Sequence, residues 1–143
     1  MIYLPPILEL SMFGVLEAGV PNRERVCLRP TDSVNLAQFG LLAAIQNPAG
    51  PVTPLPNLFF WFGDLMVSAP AWLVVFTGKG KPQTTVEHGT TVHIFYWGLD
   101  NTIFAFPNIV IVPVAFRMTN ILTGQSVPPL NLKQIAEESK SAG

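Results

Sequence analysis

The sequence predicts an all-β protein: a single β-sandwich of jelly-roll or related Greek-key type, with extended N- and C-terminal arms and at most one or two short helices. Three observations carry that expectation. Short apolar runs rich in aromatic and β-branched residues recur along the chain, bounded by Gly, Pro and Asn. Turn signals punctuate the chain at intervals of about ten residues, the spacing of sandwiches and barrels. The longest helix candidate, Thr31–Gln46, has apolar residues all round it and is weakened by Gly40.

The densest of these runs is Leu58 to Gly78, LFFWFGDLMVSAPAWLVVFTG. It divides at Ser68-Ala69-Pro70 into Leu58–Val67 and Ala71–Thr77, and the expectation is a pair of central strands joined by a tight connection there. Before it, residues 1–10 read as an N-terminal arm, since Pro5-Pro6 disfavours helix and removes two ladder donors. The sandwich itself is expected over 11–118. Ser11–Leu16 reads as a short strand. Arg23–Arg29 alternates, with Arg23, Arg25, Cys27 and Arg29 on one side and Glu24, Val26 and Leu28 on the other, the pattern of a half-buried strand. Thr31–Gln46 is ambiguous between helix and strand. Asp32 or Ser33 is a fair cap, yet apolar residues surround any helix drawn there and Gly40 weakens it, so the context favours strand.

Asn47–Asn57 reads as a stiff Pro-rich loop, Gly78–Pro82 as a hairpin turn with solvated lysines, and Gln83–Glu87 and Thr90–Trp97 as strands separated by His88-Gly89. Thr102–Phe106 and Ile109–Met118 complete the set, with Pro113 marking the last as an edge strand or a bulge. Residues 119–143 form the C-terminal arm, in which Asn131 caps a short helix with Gln134 at its third position.

Composition bounds the function. In 143 residues only 12 % are charged, half of the ~25 % typical of soluble domains. Asp64 is the one charge between Asp32 and Lys79. Interface cores are depleted of charge in this way, so the expected partner is another copy of the chain or a larger protein assembly. Net charge is −1, and the nearest approach to a basic cluster, Arg23, Arg25 and Arg29, is diluted by Glu24. That argues against nucleic acid as a partner. The N-terminus lacks the basic start of a signal peptide, and prolines interrupt every long uncharged stretch, so no membrane span is expected.

Motifs for chemistry are scarce. His88 and His93 are five apart, which places them on opposite faces of a strand and makes them a poor metal pair. Cys27 offers no disulfide and no local catalytic signature. There is no G-x-S-x-G elbow, and Gly78-Lys79-Gly80-Lys81 lacks phosphate-loop spacing. Pro51–Pro54 is a formal PxxP, better explained as loop stiffness. Asp64, beside Gly63 in an aromatic run, is explained by a turn, a bulge or a buried partner such as Arg117. No cofactor, metal or catalytic residue is assigned. Trp61, Trp72, Trp97, Arg23 and Arg25 remain as ligand or interface candidates. The expectation is a non-enzymatic structural subunit that self-associates or docks on a larger complex, a virus or phage particle component being its most concrete form. The alternative is a carbohydrate-binding sandwich in which the three tryptophans share a stacking face.

Overall fold

In the computed structural model, which describes residues 5–126, the chain forms two packed β-sheets and a small third one. In chain order the strands are β1 (Leu10–Leu16), β2 (Arg25–Pro30), β3 (Val34–Asn35), β4 (Phe39–Gln46), β5 (Val52–Trp61), β6 (Met66–Val67), β7 (Ala71–Phe76), β8 (Gln83–Glu87), β9 (Thr90–Tyr96) and β10 (Ile111–Arg117). A single 3-10 turn, Leu36–Gln38, separates β3 from β4. One sheet has five strands in the order β1-β2-β7-β9-β8, the other three in the order β10-β4-β5, and β3 pairs with β6.

The all-β sandwich expected from the sequence is therefore what forms, and Thr31–Gln46 is strand with one 3-10 turn at its centre. The jelly-roll order is not confirmed. The five-stranded sheet contains a parallel pair, β7 beside β9 from Ala71↔Thr91 to Phe76↔Tyr96. Parallel neighbours need a crossover connection, and here β8 lies on that route, pairing beyond β9 on the outside of the sheet.

The core lies between the sheets. Val26, Leu28, Leu73, Val75 and Phe95 of the larger sheet meet Phe39, Leu41, Ala43 and Ile111 of the smaller one. Period-two alternation explains the set: along β7, Ala71, Leu73 and Val75 are buried while Trp72, Val74 and Phe76 are half-covered. Phe62 turns inward between the sheets, edge-on to Phe95 at a centroid distance of 5.1 Å.

Several local expectations are corrected. Leu58–Val67 is not one strand and does not pair with Ala71–Phe76. It breaks at Gly63, whose φ is +83°, and its halves join different sheets. The Pro-rich segment is not all loop, because β5 begins at Val52 and carries Pro54 and Pro56. As an edge strand bonded only to β4, it has one side of its backbone free of the ladder, where a missing N–H costs nothing. Between the pairs Leu42↔Phe59 and Ala44↔Pro54 it bulges, with Asn57 at φ +64°. Pro113 likewise sits on an edge strand, β10. Gly78–Pro82 is no hairpin, since it carries the chain from β7 past β9 to β8.

His88-Gly89 is the two-residue hairpin, both residues at positive φ (+52° and +79°), as the right-handed twist of paired strands favours. Thr102–Phe106 forms no strand and contributes only a single bridge, Phe106↔Ile109.

The N-terminal residues that are described do not stand away from the body. Thr31 donates to the carbonyls of Glu9 and Leu8, and Arg117 of β10 pairs with the Glu9 carboxylate. Residues 119–126 are without regular structure, and the helix expected from Asn131 lies outside the described residues.

Candidate functional site

The sequence leaves few charges, and the structure shows where the remaining apolar surface goes. Cα partners in a ladder share a face, so the register assigns each side chain to core or exterior. On the three-stranded sheet the outer face carries Val112, Val114 and Phe116 from β10, Gly40, Leu42 and Ala44 from β4, and Pro54, Phe59 and Trp61 from β5. None of these is charged. Phe59 and Trp61 are 54 % and 48 % exposed.

The Phe116 ring reaches across to β4 and lies over Gly40. Phe116 and Phe59 sit 5.2 Å apart at an interplanar angle of 31°. Gly40 makes this possible, because a Cβ there would lie 2.5 Å from Phe116 Cζ and 2.6 Å from the Phe60 carbonyl oxygen. Trp61 is anchored by its Nε1–H, which donates to the Ala37 carbonyl at 2.7 Å.

The outer face of the five-stranded sheet is also apolar at its centre. Trp72, Val74 and Phe76 of β7 lie beside Val92, Ile94 and Tyr96 of β9. Phe13 packs edge-on to Trp72 at 5.6 Å, and Phe76 stacks on Tyr96 at 5.5 Å. Two arginines lie over these rings: Arg29 is 4.2 Å from the Trp72 centroid and Arg25 is 5.7 Å from that of Phe76. Cys27 is buried beneath this layer. Burial pushes its thiol up, with Arg25 opposing, so the reactive thiolate is disfavoured.

The three tryptophans therefore do not converge. Trp61 belongs to one outer face and Trp72 to the other, while Trp97 follows β9 and packs against the core beside Phe60 and Phe104. A shared stacking face is not formed by these residues. The arginine candidates are likewise committed within the chain: Arg25 donates to Glu17 Oε2 at 2.6 Å, and Arg23 lies 3.6 Å from Glu17 Oε1. Those cations hold the Glu17 carboxyl below its ordinary range, the Arg25 hydrogen bond contributing most.

Asp64 is exposed in the bend after Gly63 and accepts from the Asn35 amide at 2.9 Å, so of the three explanations the turn holds and the buried Arg117 partner does not. Arg117 instead lies over Phe39 and pairs with Glu9. His93 bonds the Thr84 hydroxyl through Nδ1 at 3.1 Å, and His88 occupies the hairpin turn. Among the described residues no three of His, Cys, Asp and Glu gather where a metal would sit, and no helix is long and apolar enough to cross a membrane.

Among the described residues the buried charged side chain is Glu24, only 1 % exposed. Its carboxylate oxygens accept from the Gly19, Ile103 and Phe104 amides and from the Thr77 hydroxyl, at 2.8, 2.8, 3.1 and 2.9 Å. These bonds replace a ladder for residues 103–104 and explain why that apolar segment is not a strand. The signal for it was present in the alternation of β2, which puts Glu24 on the same side as the buried Val26 and Leu28.

A cleft of ≈ 280 Å³ beside this cluster is lined by Asn22, Thr77, Lys79, Asp100 and Asn101, and its two charges, Lys79 and Asp100, pair with each other at 2.7 Å. A larger, mainly apolar groove of ≈ 700 Å³ follows the gap between β1 and β10. Comparison with protein-family models, with curated proteins and with solved structures returns no match.

Proposed function

We propose that this chain is a non-catalytic assembly subunit whose outer sheet faces are covered by copies of itself or by a larger protein complex. The observation that carries the proposal is the charge-free exterior of the three-stranded sheet, which bears Phe59, Trp61 and Phe116. Eight residues of β4 extend over roughly 27 Å, and three strands span about 14 Å, so this face approaches ~400 Å² before side-chain relief is counted. That footprint is within the ~300–600 Å² of the largest apolar patch on an ordinary monomer, and such patches are often functional. A second apolar face on the opposite sheet gives the subunit two surfaces to cover, as repeated particles require. A virus or phage particle is the most concrete such setting, by fold-level analogy.

Multi-angle light scattering over a range of concentrations tests the reading. The wild-type chain should be a stable oligomer, and Val112→Lys, which places a cation in the middle of the charge-free face, should reduce its mass. A wild-type chain that stays monomeric at millimolar concentration would overturn the proposal.

A further inference from the structure

Sheet edges decide which strands can pair with another molecule, and the edges here are not alike. An exposed edge offers a row of free N–H and C=O groups, and proteins blunt it with proline, bulges, brevity or lysine. β5 carries Pro54 and Pro56, and β10 carries Pro113. β1 is interrupted by a bulge between Met12 and Gly14. β3 and β6 are two residues long. β8, Gln83-Thr84-Thr85-Val86-Glu87, has none of these devices; it pairs only with β9, and Val86 is 69 % exposed.

We infer that β8 is a homotypic docking edge, on which a second copy of the chain adds its own β8 antiparallel about a two-fold axis midway between the two Thr85 residues. The inference rests on the assembly reading above and supplies one of its contacts. A second copy is the occupant because β8 is the sole unblocked edge among the described residues, so on another copy it finds only itself. A contact of an element with itself closes as a two-fold dimer instead of growing into a filament.

The strand is self-complementary in this register. Thr85 faces Thr85 of the second copy, Thr84 faces Val86, and Gln83 faces Glu87, so no like charges stand opposite and each Glu87 carboxylate meets an amide donor. Pairing fuses two five-stranded sheets into one of ten strands, joining their outer faces. Five residues of edge bury less than the ~800 Å² per partner of a stable complex, so this contact alone is weak and concentration-dependent.

The experiment compares the dimerisation constants of wild type, Gln83→Lys and Gln83→Glu by sedimentation. It is run both in the native chain and in a Val112→Lys background, where the other face is disabled. Gln83 is exposed, so neither change disturbs the fold. Each dimer contains the 83/87 pair twice, so lysine should tighten association and glutamate weaken it, each by roughly two- to thirty-fold. Hydrogen exchange gives the second reading: the β8 amides should gain protection as concentration rises, and lose it in Gln83→Glu. The inference is overturned if the two charge variants associate alike, if β8 exchange is independent of concentration, or if the chain never dimerises. Assembly that responds to Val112→Lys but not to residue 83 would refute this contact and leave the sheet-face reading standing.

Discussion

The Thr77 hydroxyl donates to Glu24 Oε1 at 2.9 Å across 53 residues of chain, inside one end of the sandwich. Glu24 lies just before β2 and Thr77 just after β7, and the Thr77 amide donates in turn to the Glu24 carbonyl at 3.1 Å. With the Gly19, Ile103 and Phe104 amides on the same carboxylate, one side chain ties three separate connections to the ends of two central strands.

That arrangement predicts a specific cost for Glu24→Gln. Whichever way the amide is turned, its NH2 faces groups that donate. Only the Thr77 hydroxyl can reverse and accept, so at least one buried backbone N–H loses its acceptor. Unfolding in urea should show a loss of about 1–3 kcal/mol with the slope of the transition unchanged. Thr77→Val, which leaves Oε1 still bonded to the Ile103 amide, should cost about 1 kcal/mol. A larger loss for Thr77→Val than for Glu24→Gln would contradict the four-donor account.

Gly40→Ala should destabilise the three-stranded sheet by about 1–3 kcal/mol, the usual penalty for an atom forced into a filled site. The added methyl meets both the Phe116 ring and the Phe60 carbonyl, and the carbonyl belongs to backbone that cannot swing away. The ring should be displaced from its contact with Phe59, visible as a changed upfield shift of the Phe116 ring protons. Thermal unfolding and those shifts together check the prediction.

Acid sensitivity should appear first at His93. Burial pushes its imidazole below the ordinary 6.5, because the cation is poorly solvated there. Between the folded and unfolded values the unfolded chain binds more protons, so stability rises with pH through that window and is lost as pH falls. Above the unfolded value the contribution is constant. Denaturant titrations between about pH 7 and about pH 5 should therefore show falling stability, and His93→Gln should flatten the trend. A slope identical in the variant would refute the assignment.

Cys27 should resist thiol reagents until the chain unfolds. It is buried, and burial raises its pKa, so the thiolate population and the access route are both small. Reaction with Ellman's reagent at about pH 8 should be slow in the native state and immediate in denaturant; rapid native labelling would show that the outer layer of Phe13 and Trp72 is open.

The sequence by itself determined the fold class and most strand positions. Alternation along β2, the break between strands at His88-Gly89 and Pro113 on an edge are local signals, read within a few residues of where they act. It also determined that the middle of the chain has almost no ionic groups to set against water. What only the tertiary structure decided was partnership. Leu58–Trp61 and Ala71–Phe76 read alike as apolar runs, yet one closes the edge of the small sheet and the other lies at the centre of the large one. Nothing local separates them, because pairing depends on residues tens of positions away. Glu24 is the sharpest case. Alternation puts its carboxylate on the side of Val26 and Leu28, but the amides of residues 19, 103 and 104 that make it the anchor of the fold arrive only in the tertiary structure.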